Sequence, residues 1–310
     1  MIDLKDKRVL VTGPNSMVGR AVTSSLKNRG AIIWSIFHED IDLLSFHQTR
    51  HTFEIAEPDY VIHAAGWNGG IEWNKMYPAD IFYRTSQMAL NVLKCCEQYK
   101  VDKCLSILAS CSYPNNQESV LKEDTLWDGA PNGTVECHGL SKRILDAYSR
   151  QLRKQHGLNA ITVVLTNSYG PHDSFDLEKT KVVGALIRKF VEAKETNSPR
   201  VECWGTGSPK REFMFCNDAG EAIVQALEKY DEEIPLNIGT GEEVTIRELV
   251  EIIAEVIDYE GEVFWDSSKP DGQMKKLLDT SKMKSILDVK LIGLKEGIKE
   301  TIDWYRRTTP

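Results

Sequence analysis

What this 310-residue sequence lacks most clearly is a long apolar run: its longest apolar stretches are strand-sized, which predicts no membrane-spanning helix. Residues 1–7 also lack the apolar centre of a signal peptide. Positive charge is not in excess, because the formal net charge is −8, and this argues against a general nucleic-acid binder. We therefore expect a cytoplasmic protein with no membrane or nucleic-acid partner.

Cysteine is present but not in a pattern that binds metal. The seven cysteines form an odd, scattered set without the short spacings of a metal site or a disulfide framework. They are expected to be buried free thiols in a reducing compartment, with no bound metal. Internal repeats and low-complexity tracts are also missing. The 310 residues are therefore expected to form one large or two modest globular domains.

The stretch from Val9 to Gly19 organises the rest of the chain. An apolar run leads into a glycine turn with the spacing Gly13-x-x-Ser16-x-x-Gly19, and a helical apolar pattern follows. Gly13 allows the tight turn, and Gly19 allows the helix to lie close to the strand, so that free N–H groups face a pyrophosphate. This predicts a dinucleotide-binding unit. Its expected cofactor contacts are Gly13, Asn15, Ser16, Met17, Val18 and Gly19.

Apolar strands alternate with helical patterns up to about residue 170. Strands are expected at 32–37, 60–65, 104–108 and 160–165, with helices at 79–98 and 141–156. The alternation predicts an α/β fold with a Rossmann-type, doubly wound parallel sheet, whose ligand lies at the carboxyl edge of the strands. Ala64, Ala65 and Gly66 follow the third strand and join the expected cofactor contacts.

The alternation loosens in the second half of the sequence. Helices are expected at 182–193, 246–256 and 294–306, and a late strand at 236–238. We interpret residues 1–170 as an NAD(P)-binding domain and residues 171–310 as a smaller C-terminal substrate-binding lid domain. This division allows the chain to cross between the two.

Several motifs then carry a family resemblance over nearly the whole chain. The sequence resembles the extended short-chain dehydrogenase/reductases, and most of all the GDP-L-fucose synthases, which are epimerase–reductases. The resemblance implies an enzyme that binds NAD(P) and a GDP-sugar, and a homodimer is the expected assembly. Besides the glycine turn, its motifs are Gly69-Gly70-Ile71, Tyr77-Pro78-Ala79-Asp80, Ser110-Cys111-Ser112-Tyr113-Pro114, the run from Thr166 to Asp173, Trp204-Gly205-Thr206-Gly207, Arg211-Glu212-Phe213 and Lys269-Pro270-Asp271-Gly272.

The chain departs from this family at its hydride-transfer residues. The family uses a Tyr-x-x-x-Lys pair; here Lys142 matches, but His138 stands in the tyrosine position. The family's serine, four residues before Tyr113, is replaced by Ala109. Ser110 remains a candidate sugar contact, although strand alternation would point its side chain away. Two of the three expected groups are therefore replaced.

The resemblance also implies a cysteine and a base that act on opposite faces of the sugar. Cys111 matches the cysteine and, two residues beyond Ala109, is expected on the same strand face. Lys181 stands at the position of the histidine, a pairing similar to that of GDP-mannose 3,5-epimerase. Either group can exchange a proton near neutral pH if its pKa is shifted. In the alternative interpretation, Cys111 is a small buried side chain and Lys181 a solvated lysine at a helix start. His138 is either a proton acceptor for a C4 hydroxyl or a simple sugar contact.

The end of the second strand bears on the choice of cofactor. NADP binders need a cation for the 2′-phosphate, but this chain has Asn15 in the glycine turn and His38, Glu39 and Asp40 after the strand. The acidic residues favour NAD. Arg20 and His38 leave NADP open.

The substrate contacts implied by the resemblance lie in the second half. Arg188 and Arg211 match positions that hold a diphosphate, for which guanidinium groups are well suited. Trp204 matches a base-packing position, and Asn167 and Lys276 match positions near the sugar–phosphate and the base or ribose. The guanine assignment depends on the resemblance alone.

Three functions follow from these observations. The first is an epimerase or oxidoreductase of the GDP-L-fucose synthase type, acting at C3, C4 or C5 of a hexose or heptose through Cys111 and Lys181. The second is an NAD-dependent C4 dehydrogenase or reductase in which His138 or water replaces the tyrosine. The third is a catalytically silent sugar-nucleotide-binding protein that partners an active relative.

Overall fold

The computed structural model describes residues 2–115, 120–176, 179–269, 271 and 273–308. Pro270 and Gly272 of the last quoted motif lie outside these residues. The strands are β1 (Arg8–Thr12), β2 (Ile32–Ile36), β3 (Tyr60–His63), β4 (Lys103–Ala109), β5 (Asn159–Leu165), β6 (Asn167–Tyr169), β7 (Arg200–Trp204), β8 (Lys210–Arg211), β9 (Phe213–Phe215), β10 (Leu236–Ile238), β11 (Val244–Thr245), β12 (Glu262–Asp266) and β13 (Lys275–Lys276). The helices are α1 (Met17–Asn28), α2 (Phe46–Ala56), α3 (Ile71–Met76), α4 (Pro78–Gln98), α5 (Glu136–His156), α6 (Val182–Glu195), α7 (Cys216–Lys229), α8 (Ile246–Ile257), α9 (Ser281–Ile286) and α10 (Leu294–Thr308).

Six parallel strands form the main sheet in the order β10-β5-β4-β3-β1-β2. The strand order reverses between β1 and β3, since β2 lies outside β1 and the later strands extend from β3. At such a switch point the carboxyl ends of two strands diverge and leave a crevice for a ligand. The Rossmann-type α/β fold expected from the sequence is confirmed.

Helices cover both faces of this sheet. Val22 and Leu26 of α1 and Ile223 of α7 belong to the core on one face, whereas Phe53 of α2 and Val92 of α4 belong to the core on the other. Burial of both faces explains why the central strands are almost wholly apolar.

The chain returns to the main sheet after it has entered the second half. Helix α7 packs so closely on α1 that a Cβ at Gly220 would lie 2.5 Å from the backbone carbon of Ala21. Strand β10 then pairs in parallel with β5. The strand 236–238, which the sequence analysis assigned to the lid, therefore lies in the main sheet, because the free edge of β5 supplies its hydrogen bonds.

The remaining elements form a second core around α6, α8 and α10, with Phe190, Ile253 and Ile298 fully buried. A small sheet in the order β11-β8-β13 and the pair β12-β7 lie beside it. This part holds most of the expected substrate contacts. Among the described helices, none has the length and apolar character needed to span a membrane.

Candidate active site

The glycine turn brings the start of α1 against the end of β3. Gly13 has φ +68, and a Cβ there would lie 3.0 Å from the backbone of Ala65. A Cβ on Gly19 would lie 2.1 Å from the Gly13 carbonyl oxygen, so neither position accepts a side chain without a shift. Ser16 caps α1: its hydroxyl accepts from the Gly19 N–H at 3.0 Å and donates to the Gly13 carbonyl at 2.8 Å. The turn thus presents a helix N-terminus at the sheet's switch point, as pyrophosphate binding requires.

The side chains around this turn differ in their exposure. Asn15 and His38 are exposed, whereas Met17 is buried in the second core and Val18 is half-buried. Arg20 donates to the Asn15 carbonyl at 3.2 Å and to its side-chain oxygen at 3.4 Å. These bonds hold the arginine beside the turn, where it is the expected cation for any 2′-phosphate.

Cys111 lies in a 3₁₀ turn, Ser110–Ser112, that begins as soon as β4 ends at Ala109. Strand alternation therefore does not extend past Ala109, and the argument that placed Cys111 on the face of Ala109 is wrong in its geometry. Ser110 is buried and Cys111 half-buried. The start of α5 packs on this turn, because a Cβ at Gly139 would lie 2.5 Å from the Cys111 carbonyl oxygen.

Helix α5 begins at Glu136, five residues before the expected start. His138 and Lys142 are therefore one helical turn apart on the same face, and both are buried. Lys142 lies against the loop after β3, since a Cβ on Gly66 would lie 3.5 Å from its Nζ atom. The His138 Nδ1 atom has no hydrogen-bond partner among the described residues.

Positive charge surrounds the Cys111 thiol. Burial raises the pKa of Cys111, and the charges of Lys276, Lys142 and Lys181 act in the opposite direction. Burial also lowers the pKa of Lys142 to about 8. Within the described part of the chain, none of these three lysines forms an ion pair, although Lys181 also acts on the Asp173 carboxylate, whose pKa is raised by burial and lowered by the lysine charge. The charges of Lys142 and Lys276 are available to an anion in the site.

His138 is an uncharged imidazole at neutral pH. Burial lowers its pKa well below the usual range, and the charges of Lys142, Lys181 and Lys276 add to this effect. A lower pKa makes a histidine a weaker base. The cluster therefore combines a thiol, a neutral imidazole and unpaired cations at the carboxyl edge of the sheet. Such a set can move a proton on carbon next to a carbonyl and stabilise the resulting enolate.

A family model described as the NAD dependent epimerase/dehydratase family matches residues 9–239. The chain belongs to this family. It is therefore an enzyme of the NAD(P)-dependent epimerase/dehydratase type. The dinucleotide contacts expected at the Gly13 turn stay predictions.

Individual relatives and solved structures give a more specific comparison than the family model does. GDP-L-fucose synthase 1 of Arabidopsis thaliana is 37% identical over 97% of this chain and 94% of its own length. GDP-L-fucose synthase of Escherichia coli is 33% identical over 97% of each chain. A GDP-L-fucose synthetase of Naegleria fowleri, solved with NADP bound, has a TM-score of 0.89 at 27% identity and covers 98% and 95% of the two chains. A GDP-6-OMe-4-keto-L-xylo-heptose reductase of C. jejuni gives 0.90 at 27% identity over 98% and 99%.

Beside the second core of this epimerase/dehydratase, Trp204 lies at a cavity of about 160 Å³. Its ring is exposed, and the ammonium groups of Lys189 and Lys269 lie 5.5 and 5.6 Å from its centroid. Arg211 and Lys276 are register partners in the pair β8-β13. The charge of Lys276 also acts on the Cys111 thiol, and the expected role of Lys276 beside the base or ribose stays a prediction.

Two expected substrate residues have other partners. Arg188 donates to the Glu192 carboxylate at 2.7 Å and to the Phe175 carbonyl at 3.0 Å, and no described contact joins it to Trp204 or Arg211. Asn167 donates to the backbone carbonyl of Glu212 at 3.1 Å. Their roles in substrate binding stay predictions.

Glu212 has a structural role that was not expected from the sequence, although this residue lies in the Arg211-Glu212-Phe213 motif. Its carboxylate is fully buried and accepts from the N–H groups of Gly241, at 2.8 Å, and Leu278, at 3.1 Å. It thereby fixes the strand that carries Arg211 against the segment that carries Lys276. The sequence signal that could have pointed to it is a carboxylate directly before the apolar run Phe213–Phe215.

Proposed function

We propose that this enzyme epimerises a GDP-linked 4-keto hexose or heptose at the carbons beside the ketone, with Cys111 and Lys181 as its proton-transfer groups. The observation that carries the proposal is the Cys111 thiol among unpaired lysines at the sheet edge, next to an Ala109 that has no hydroxyl. The GDP-sugar comes from the relatives, whose names state GDP-L-fucose as a product and a GDP-linked keto-heptose as a substrate. The small cavity at Trp204 is the proposed site of the base.

The side chains at the site favour epimerisation of the sugar over reduction of its ketone. A ketone reductase must deliver a proton to the C4 oxygen, a task that the family resemblance gives to a tyrosine and a serine. Here those positions hold a neutral His138 of lowered pKa and Ala109. Proton exchange at carbon needs neither group, because the thiol and the lysines suffice for it.

In the proposed reaction, one group removes the proton from the carbon beside the ketone and the electrons of the C–H bond move onto the ketone oxygen. The positive charges of Lys142 and Lys276 stabilise this enolate. A group on the opposite ring face then returns a proton to carbon, and the stereocentre is inverted. Cys111 and Lys181 would serve the two faces.

The residues present fit a dinucleotide. Gly13 and Gly19 leave no side chain between the turn and a pyrophosphate, and Ser16 starts α1 at that point. NAD(P), when bound, would supply hydride transfer at C4 for the alternative C4 oxidoreductase, whereas the proposed epimerisation of a 4-keto sugar needs no hydride step. Gly66 and Lys142 would lie at the nicotinamide end, where the lysine charge orients the ribose and the sugar.

The test is incubation with GDP-4-keto-6-deoxymannose in deuterated water, read by mass spectrometry and NMR. Deuterium uptake at carbon without loss of the carbonyl supports the proposal. A changed carbonyl count would instead indicate the C4 oxidoreductase. No change in the sugar would favour a silent binding protein.

The exchange rate is expected to rise with pH between pH 6 and 8. Burial raises the pKa of Cys111, so the reactive thiolate is a minor species whose fraction grows about tenfold for each pH unit below that pKa. Above about pH 8 the slope should fall, because Lys142 loses the charge that favours the thiolate. Initial rates of deuterium uptake in a constant-ionic-strength buffer series measure this. A flat profile from pH 6 to 8 would contradict a thiolate base.

The protein is expected to bind NAD(H) more tightly than NADP(H). The exposed residues His38, Glu39 and Asp40 follow β2, and among the described residues Arg20 is the cation held beside Asn15, where it would meet a 2′-phosphate. Isothermal titration with both cofactors checks this, with Arg20→Gln as the matched variant. A tenfold preference for NADP(H), about 1.4 kcal/mol, would reverse the assignment.

A further inference from the structure

The loop after β3, Gly66–Gly70, contacts the segment that leads into Lys181. The backbone N–H of Gly70 donates to the Lys179 carbonyl oxygen at 3.0 Å. The Lys179 ammonium group lies 5.3 Å from the centroid of the Trp73 ring, within reach of a cation–π interaction. Because Lys179 is two residues before Lys181, this contact helps to set where α6 begins.

Glycine is needed at position 70 because the loop lies very close to the segment before Lys181. Its φ of −66 and ψ of −175 are open to any residue, so its backbone conformation does not call for glycine. A Cβ at this position would lie 2.7 Å from the Thr180 carbonyl oxygen, closer than real contacts allow. An alanine would therefore push the loop away from Lys181.

Asn74, at the centre of α3, holds the loop in shape. It is almost fully buried, and its side-chain NH₂ group lies 2.9 Å from the Asn68 side-chain oxygen. The same NH₂ lies 3.1 and 2.9 Å from the carbonyl oxygens of Gly69 and Gly70. The two N–H donors of this amide are thus shared among three oxygens of the loop, and the Asn74 backbone N–H also donates to the Gly70 carbonyl at 3.1 Å.

The same loop and helix also contact α5 on both sides of His138. The Cys137 thiol donates to the side-chain oxygen of Asn74 at 3.4 Å, and Gly66 lies against Lys142. One continuous segment therefore contacts the neighbours of His138 and the neighbours of Lys181.

We propose that Gly70 and Asn74 are positioning residues for the reaction, which hold Lys181 opposite Cys111 across the bound sugar. This inference rests on the proposed function, since that function makes Lys181 one of the two proton-transfer groups. It makes the loop after β3 a link from the dinucleotide side of the site to one ring face of the sugar. A merely stabilising loop would affect both ring positions alike.

The test uses Gly70→Ala and Asn74→Asp, which keeps the volume of the side chain and removes its N–H donors. Gly293→Ala is the matched control, because a Cβ there meets nothing within 4 Å. Deuterium uptake into GDP-4-keto-6-deoxymannose is followed by NMR at each carbon. Both test variants should lose at least about tenfold at the position that Lys181→Met also loses, and less than twofold at the other.

A second measurement does not depend on activity. Amide hydrogen exchange in the peptide 179–186 should be faster in both test variants than in wild type and Gly293→Ala, with dinucleotide affinity within about threefold. The inference would be overturned if the test variants incorporate deuterium at both sugar carbons at the wild-type rate. It would also be overturned if they lose incorporation equally at both carbons and have a lower Tm. If the wild-type enzyme incorporates no deuterium into the sugar, the proposed function fails. The inference is then tested by the amide data: amide exchange in 179–186 that is the same in the test variants as in wild type would overturn it.

Discussion

Replacing Cys111 with serine is expected to lower deuterium uptake into the sugar by about 10²–10⁴-fold, the usual effect of losing a general acid or base. The substitution nearly keeps the side-chain volume but exchanges a thiol, with an ordinary pKa of about 8.5, for a hydroxyl that hardly ionises. Because Cys111 is only half-buried in a 3₁₀ turn, the melting temperature and dinucleotide affinity should stay close to wild type. Uptake is measured by NMR at saturating GDP-4-keto-6-deoxymannose.

Cys95 provides the matched control for this variant. It is fully buried in the core between the sheet and α4, so Cys95→Ala should cost about 1 kcal/mol of stability and leave exchange intact. Lys181→Met should affect mainly one ring position, because Lys181 is proposed to serve one face. Exchange at the wild-type rate in Cys111→Ser would remove the epimerase proposal and leave the oxidoreductase or the silent binder.

The double variant Ala109→Ser with His138→Tyr is expected to gain NAD(P)H-dependent ketone reduction, by up to about 10²–10⁴-fold. The two hydroxyls would restore the proton donor and its partner at the C4 oxygen. Lys142 is already one helical turn from position 138, and burial brings its pKa to about 8, so its charge is in place to lower the pKa of the new phenol. Oxidation of NAD(P)H followed at 340 nm, with the ketone as substrate, measures the gain.

The single variants separate the two contributions. His138→Tyr alone should gain part of the activity, and Ala109→Ser alone very little, because the serine only supports the phenol. If the double variant folds and binds cofactor but reduces no faster than wild type, positions 109 and 138 do not face the C4 oxygen, and the sugar binds in another pose.

Much of the first half of the fold could be predicted from the sequence, because there each element is set by local pattern. The expected strand 160–165 and helix 79–98 agree with β5 and α4 to within one residue at each end. The glycine turn is also local: the spacing of Gly13, Ser16 and Gly19 is enough to specify a strand, a tight turn and a capped helix.

What the sequence could not show depends on contacts between distant segments. The return of α7 and β10 to the main sheet depends on the free edge of β5 and the packing of Gly220 on Ala21, neither of which is visible in a window of neighbouring residues. The side-chain direction of Cys111 was argued from strand alternation, but β4 ends at Ala109 and Cys111 lies in the following 3₁₀ turn. Strand alternation therefore does not determine where this side chain points. The pairing of β13 with β8, which makes Lys276 the register partner of Arg211, also joins segments that are distant in the sequence.

The late return of β10 also bears on how the chain is made. During synthesis, β5 emerges with one edge unpaired, and it stays so until Leu236–Ile238 has left the ribosome. The same delay leaves the apolar face of α1 without α7. An unpaired strand edge beside an exposed apolar face can pair with another nascent chain. Binding of chaperones should therefore be strongest after β5 has emerged and before β10 has emerged. A fragment that ends at residue 170 should aggregate for the same reason, whereas one that ends after α9 completes the sheet.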